Sequence, residues 1–252
     1  MFDLRLIGAE ALKLRKRRGM VALAIALTAG VAVLVFAVTG IQHATNPGKY
    51  GPAGGLVHYR DAVGFLTLMI LVVGAIVGST AGSADLESGV FRDLAATGRS
   101  RIALFGSRIP GAWAIVLPIA AGAAAIAAVA SVTLAGSLAA PTAGAVIAGT
   151  AALMLAGALG SALAVGLAAL FGSRGAVIAT LLAFELAISP ILGALSFLGG
   201  ARQVLPGEAL DRIAQISQHA VPIALPIALL VIAVWMAAAF SVGAWRTKTH
   251  EI

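Results

Sequence analysis

Six apolar runs, each about as long as a bilayer is thick, divide this chain, and no other feature constrains its fold so strongly. A helix needs about 20 apolar residues to cross the hydrocarbon layer. Runs of that order occupy about 20–41, 62–82, 109–134, 144–171, 175–198 and 221–245. Inside lipid every backbone N–H and C=O must be satisfied within its own segment, so the runs are predicted to be helices. Hydrophobic residues make up 60% of the chain and charged residues 11%, against roughly half and a quarter in soluble domains. A water-soluble fold of this length has no interior large enough to hide them. The expectation is an all-α polytopic membrane protein, one transmembrane domain over 1–252.

Six spans put both termini on one side, and the basic residues say which. Arg5, Lys13, Arg15 to Arg18, Arg92, Arg99, Arg101, Arg108, Arg174, Arg246 and Lys248 fall on one face; only Lys49, Arg60, Arg202 and Arg212 fall on the other. Such a skew marks the cytoplasmic side. The chain is therefore expected in the cell membrane, multi-pass, with both termini and the 83–108 connection cytoplasmic. The net charge of +7 is then topology, not a sign of nucleic acid. No cleavable signal is expected, because the basic run leads into a full-length span.

Three segments outside the spans carry patterns of their own. Over 1–19, Leu4, Ile7, Ala11 and Leu14 repeat at helical spacing among charges, which predicts an amphipathic helix lying in the membrane interface. Over 199–220, "EALDRIAQISQ" follows a Pro206–Gly207 turn and sets Leu210, Ile213 and Ile216 on one side. A short helix dipping into the outer leaflet is expected there. The outer loop 42–61, with "NPGKYGPAGG", reads as a turn-rich connection. Within the spans, Gly74, Gly78 and Gly82 on the second, and Ala152, Ala156, Gly160 and Ala164 on the fourth, form small-residue stripes. These suit close helix packing, within the chain or against a second membrane subunit. Pro118, Pro190, Pro222 and Pro226 are expected to kink their helices.

Catalytic chemistry is missing. The histidines, His43, His58, His219 and His250, lie in loops, at a span border or in the tail. No H-E-x-x-H occurs, and no serine has a histidine within reach at depth. There is no cysteine, which excludes disulfides and thiolate metal sites. With no G-x-x-x-x-G-K-[ST], the chain has no P-loop for ATP. No catalytic residue, metal ligand or cofactor of its own is expected.

The stretch "SADLESGVFRDLAATGRSR", 83–101, gathers charge in a charge-poor chain. Leu86, Val90, Phe91, Leu94 and Ala95 fall on one helical face, while Asp85, Glu87, Arg92 and Asp93 lie mostly off it. A capped first turn and Gly98 at the end predict a short amphipathic helix between the second and third spans. Its apolar face is available to a partner.

This stretch resembles the cytoplasmic connection between the second and third spans of ATP-binding cassette (ABC) transporter permeases of the type-2 class. That pattern runs acid, three residues, glycine, a leucine-rich turn, proline, a serine–arginine pair and a later lysine. Here the positions read Asp85, Gly89, Leu94, Gly98, Ser100–Arg101 and Arg108, with Glu87 as a second acid. Asp85 replaces the usual glutamate, Val90 a threonine, Gly98 the proline and Arg108 the lysine. "AEALKLRKRR", with Glu10, Lys13 and Arg17, is similar to the family's elbow before the first span. The resemblance implies the permease half of an exporter, paired with a second membrane subunit and docked on a separate cytoplasmic ATPase. That partner would bind ATP and Mg²⁺. The segment containing Asp85, Leu86, Glu87, Gly89, Val90, Phe91, Arg92, Leu94 and Arg101 would be the coupling helix. Hydrophobic drugs, antibiotics or antimicrobial peptides would be the cargo. A sensing or immunity subunit is the alternative, and an intramembrane enzyme a third.

One ionisable side chain lies deep inside a span. Glu185, in "ATLLAFELAISPIL", costs about 2.5–3.5 kcal/mol at such a depth on insertion scales. No Lys, Arg or His is expected at its level. It is either a neutral group bonded to a neighbouring helix or, with Ser189 and Pro190, part of a pathway that attracts cationic or hydrogen-bonding substrates.

Overall fold

A computed structural model describes residues 4–87, 89, 100–216 and 222–249. Among them there are helices and connections and no strand. Helix α1 spans Leu4–Lys16, with Lys13, Arg15 and Lys16 in its last turn, where cations suit the helix dipole. At Arg17 the backbone leaves the helical region (φ −79, ψ 68) and redirects the chain into α2, Arg18–Thr45. There follow α3, Gly55–Glu87, α4, Arg101–Thr133, α5, Ala143–Phe171, and α6, Arg174–Ala194. A 3₁₀ segment, Ser196–Val204, and a short helix α7, Pro206–Ala214, precede α8, Leu225–Thr249. Six of these, α2 to α6 and α8, are long and apolar enough to cross a membrane.

Local chemistry sets the helix ends. Ser100, Thr142 and Ser173 accept hydrogen bonds from the N–H groups of Ala103, Ala145 and Ala176, capping α4, α5 and α6. Gly172 closes α5 in the left-handed conformation (φ 63). Pro118 and Pro110 sit within a continuous α4. Before Pro190, α6 widens into a π turn over Phe184–Ile188, one way a helix absorbs a missing donor. The last span differs from expectation: Pro222 precedes α8 and Pro226 falls in its first turn. There the ring costs no hydrogen bond, so no kink is needed.

The core is the pair α3 and α5, whose apolar windows are 61% and 72% buried, while those of α2, α6 and α8 are 17–22% buried. The two small-residue stripes face each other. A methyl group on Gly74 would lie 2.9 Å from the Gly157 carbonyl oxygen, and one on Gly160 would lie 2.8 Å from that of Leu71. Gly78 and Gly82 meet Ser161 and Ala168 in the same way. These stripes are therefore occupied within the chain, the first of the two packings the sequence offered. α8 joins through Gly166, which lies on the Ala239 backbone, and Gly243, which lies on the Phe105 ring. Trp113 Nε1 donates to Ala158 O (3.1 Å), tying α4 to α5.

At the far end from α1 the connections are packed. The N–H groups of Gly54 and Leu56 donate to Leu134 O (2.9 Å) and Ala139 O (2.8 Å), so the loop before α3 is pinned to the α4–α5 connection. α7 buries Ala209, Leu210, Ile213 and Ala214 against α3, α5 and α8. Trp235 Nε1 donates to Val204 O (2.9 Å) and Arg212 Nε to Ile223 O (2.7 Å), fastening both sides of α7.

Candidate functional site

Two places bring predicted site residues together. The first is the end of α3 nearest α1. Asp85, 7% exposed, faces inward. Lys13 Nζ reaches both of its carboxylate oxygens, at 3.0 and 2.9 Å, and lies 2.8 Å from Glu10 Oε2. From α4, Arg108 donates through Nη1 to Gly82 O (2.8 Å) and through Nη2 to Asp85 Oδ2 (3.4 Å). Arg108 is 3% exposed, so its charge depends on these acceptors. Removing the Asp85 carboxylate would leave a buried cation, which costs about 3–5 kcal/mol.

Sequence makes this meeting possible through small residues. Gly111 lets α1 lie against α4: a methyl group there would come within 2.6 Å of Glu10 Cβ. Leu14 is fully buried beside them. Glu87 is exposed and accepts a hydrogen bond from the Arg174 N–H (2.8 Å) at the start of α6. Arg17 is exposed at the break between α1 and α2, and Arg101 opens α4. Gly89 adopts a positive φ of 73. Of the other coupling residues, Val90, Phe91, Arg92 and Leu94 lie outside the described residues, as does the side chain of Leu86. Lys13 and Arg108 were legible as basic residues on one side of the membrane. Their convergence on Asp85, across 72 and 23 residues of sequence, was not.

The second place is a cavity of ≈ 560 Å³ between α3, α6, the 3₁₀ segment and α7. Glu185, Ser189 and Pro190 all line it, joined by Thr67, Arg202, Glu208 and Asp211. Glu185 sits in the π turn of α6, the kind of local widening that often marks functional positions. Arg202, from the 3₁₀ segment, lines the same cavity, but no ion pair joins it to Glu185 among the described residues, in line with the expectation that no cation of this chain stands at that level. Arg202 Nη1 donates to Gly193 O (3.2 Å). For Glu208 and Asp211 the signal was the polar side of "EALDRIAQISQ". Once Leu210 and Ile213 are buried, Glu208 and Asp211 turn toward the cavity.

Chemically, the cavity offers three carboxylates, two hydroxyls and one guanidinium, a set able to hold a polar or charged group. His43 and His58 are engaged with the carbonyls of Tyr50 (2.8 Å) and Gly54 (2.9 Å). Among the described residues no group of three or more His, Asp or Glu is placed to hold a metal ion. Compared with known proteins, the chain matches no family model and no curated sequence.

Proposed function

We propose that the chain is the membrane-spanning permease subunit of an ATP-driven ABC exporter that expels a hydrophobic drug, an antibiotic or an antimicrobial peptide. The observation that carries this reading is the ordered acid–glycine–leucine–arginine spacing after the second span, from Asp85 through Gly89 and Leu94 to Ser100–Arg101. Six apolar helices and the amphipathic α1 before them are consistent with it. In this reading α1 is an interfacial elbow and the 83–108 segment is the cytoplasmic coupling element. α7 is the outer-leaflet helix, and the Glu185 cavity belongs to the substrate pathway. The shallowly buried sides of α2, α6 and α8 face lipid and a second membrane subunit. ATP and Mg²⁺ are bound by the separate ATPase.

Co-expression of the tagged chain with a P-loop ATPase tests the reading, since the two should purify together and transport should follow ATP hydrolysis. Leu94→Asp puts a charge on the face that the sequence reserves for the partner. Loss of such a buried apolar contact costs about 2 kcal/mol, so this variant should insert normally and recover little ATPase. Full recovery would make the segment a solvated loop. A reporter active only outside the membrane should be silent when fused to the C-terminus, and a strong signal would reverse the orientation.

A further inference from the structure

Both acids at the end of α3 are engaged inside the chain, and each holds a helix that is remote in sequence. Asp85 holds α1 through Lys13 and α4 through Arg108; Glu87 holds the first N–H of α6. We propose that Asp85 and Glu87 are positioning residues that make the last turn of α3 a node moving α1, α4 and α6 together, and that neither carboxylate is a docking contact. The functional consequence rests on the permease reading; the ties themselves do not.

The argument is geometric. The covalent chain passes a displacement at Glu87 only along α3 and, through the connection, to α4. α1 lies 72 residues from Asp85, and the start of α6 lies 87 residues from Glu87. Side chains must therefore carry the movement to them. Arg108 adds a second fastening by bonding the Gly82 carbonyl, one turn before Asp85, so α3 is gripped at two points. Helix α6 runs from this node to Glu185, which lines the cavity. A push at the node thus reaches the π turn at the cavity wall along one helix, a contiguous physical route between the two places.

The chain has no cysteine, so spin labels can be attached at chosen single sites. Labels on Gly8→Cys of α1 and Val129→Cys of α4, both exposed, report whether α1 stays seated. Lys13→Gln removes the α1 tie, together with the Lys13–Glu10 pair inside α1, and leaves Arg108 paired with Asp85, so it remains informative even where Asp85→Asn fails to fold. Both variants should broaden the label distances, whereas Asp85→Glu should restore the narrow distribution. For Glu87→Ala the same is expected with labels on Gly175→Cys and Val129→Cys. In the complex with its ATPase, Lys13→Gln should keep partner binding and ATP hydrolysis while transport per ATP falls by about tenfold, the scale of an ordinary coupling energy. Unchanged distances with loss of ATPase binding would make these residues docking contacts and overturn the proposal. Unchanged distances with normal transport would overturn it too. If the wild-type chain recovers no ATPase, the permease reading fails, and the label distances alone decide whether the node exists.

Discussion

At Gly78 a single hydrogen stands between α3 and the backbone of Ser161. Any larger side chain must push the two core helices apart, and overpacking of this kind costs about 1–3 kcal/mol. Gly78→Val should therefore lower the thermal midpoint of the detergent-solubilised protein clearly. Gly122→Ala, where nothing lies within 4 Å of the added carbon, should leave it unchanged. The stripe itself was legible, because small residues at every fourth position are visible in one dimension. Its occupant was not, since the sequence favoured packing within the chain without saying which helix would fill it, and kept a second subunit as the alternative. Glu185 poses the same problem: its depth in an apolar run was evident, but Arg202, Glu208 and Asp211 reach its cavity only through tertiary folding. Glu185→Gln keeps the shape and removes the charge. If the chain is the permease proposed above, the variant should assemble normally and weaken transport of cationic substrates roughly tenfold or more, the loss of one charge-assisted bond. Unaltered cation transport in the assembled variant would remove Glu185 from the pathway.

Among the elements, those with a strong period were the easiest to foresee. Leu210 and Ile213 announced α7, and both are buried in it. Its seat against α3, α5 and α8 could not be read, because nothing local says which helices a short amphipathic segment will meet. Leu210→Asp would place a charge at a fully buried position, where an unpaired carboxylate is costly. We expect α7 to lose its seat while the six long helices still insert. A single cysteine at Gly207 should then react faster with a membrane-impermeant maleimide. The π turn in α6 shows the limit of reading prolines. Pro190 was expected to bend its helix, whereas the structure records a widened turn just before it. Pro226 does nothing of the kind, since a proline in the first turn asks for no donor.

For the whole molecule, the tightest pairing skips a neighbour: α3 packs on α5 with α4 between them in sequence. Membrane insertion follows the order of synthesis, so this pairing has a timetable. When α3 leaves the ribosome its glycine stripe has no partner, and α4, the next helix made, does not supply one. The stripe stays uncovered until residues up to Phe171 have emerged, an interval of roughly 5–20 s at ordinary elongation rates. During that time the half-made protein shows quality-control proteases a helix with unfilled notches. Chains stopped after Thr133 should therefore be short-lived in pulse–chase labelling, and chains stopped after Phe171 markedly longer-lived. Gly78→Val should erase that difference, because the late-arriving partner then no longer fits. The close approach that holds the finished bundle together is thus also what leaves the nascent chain waiting for its fourth span.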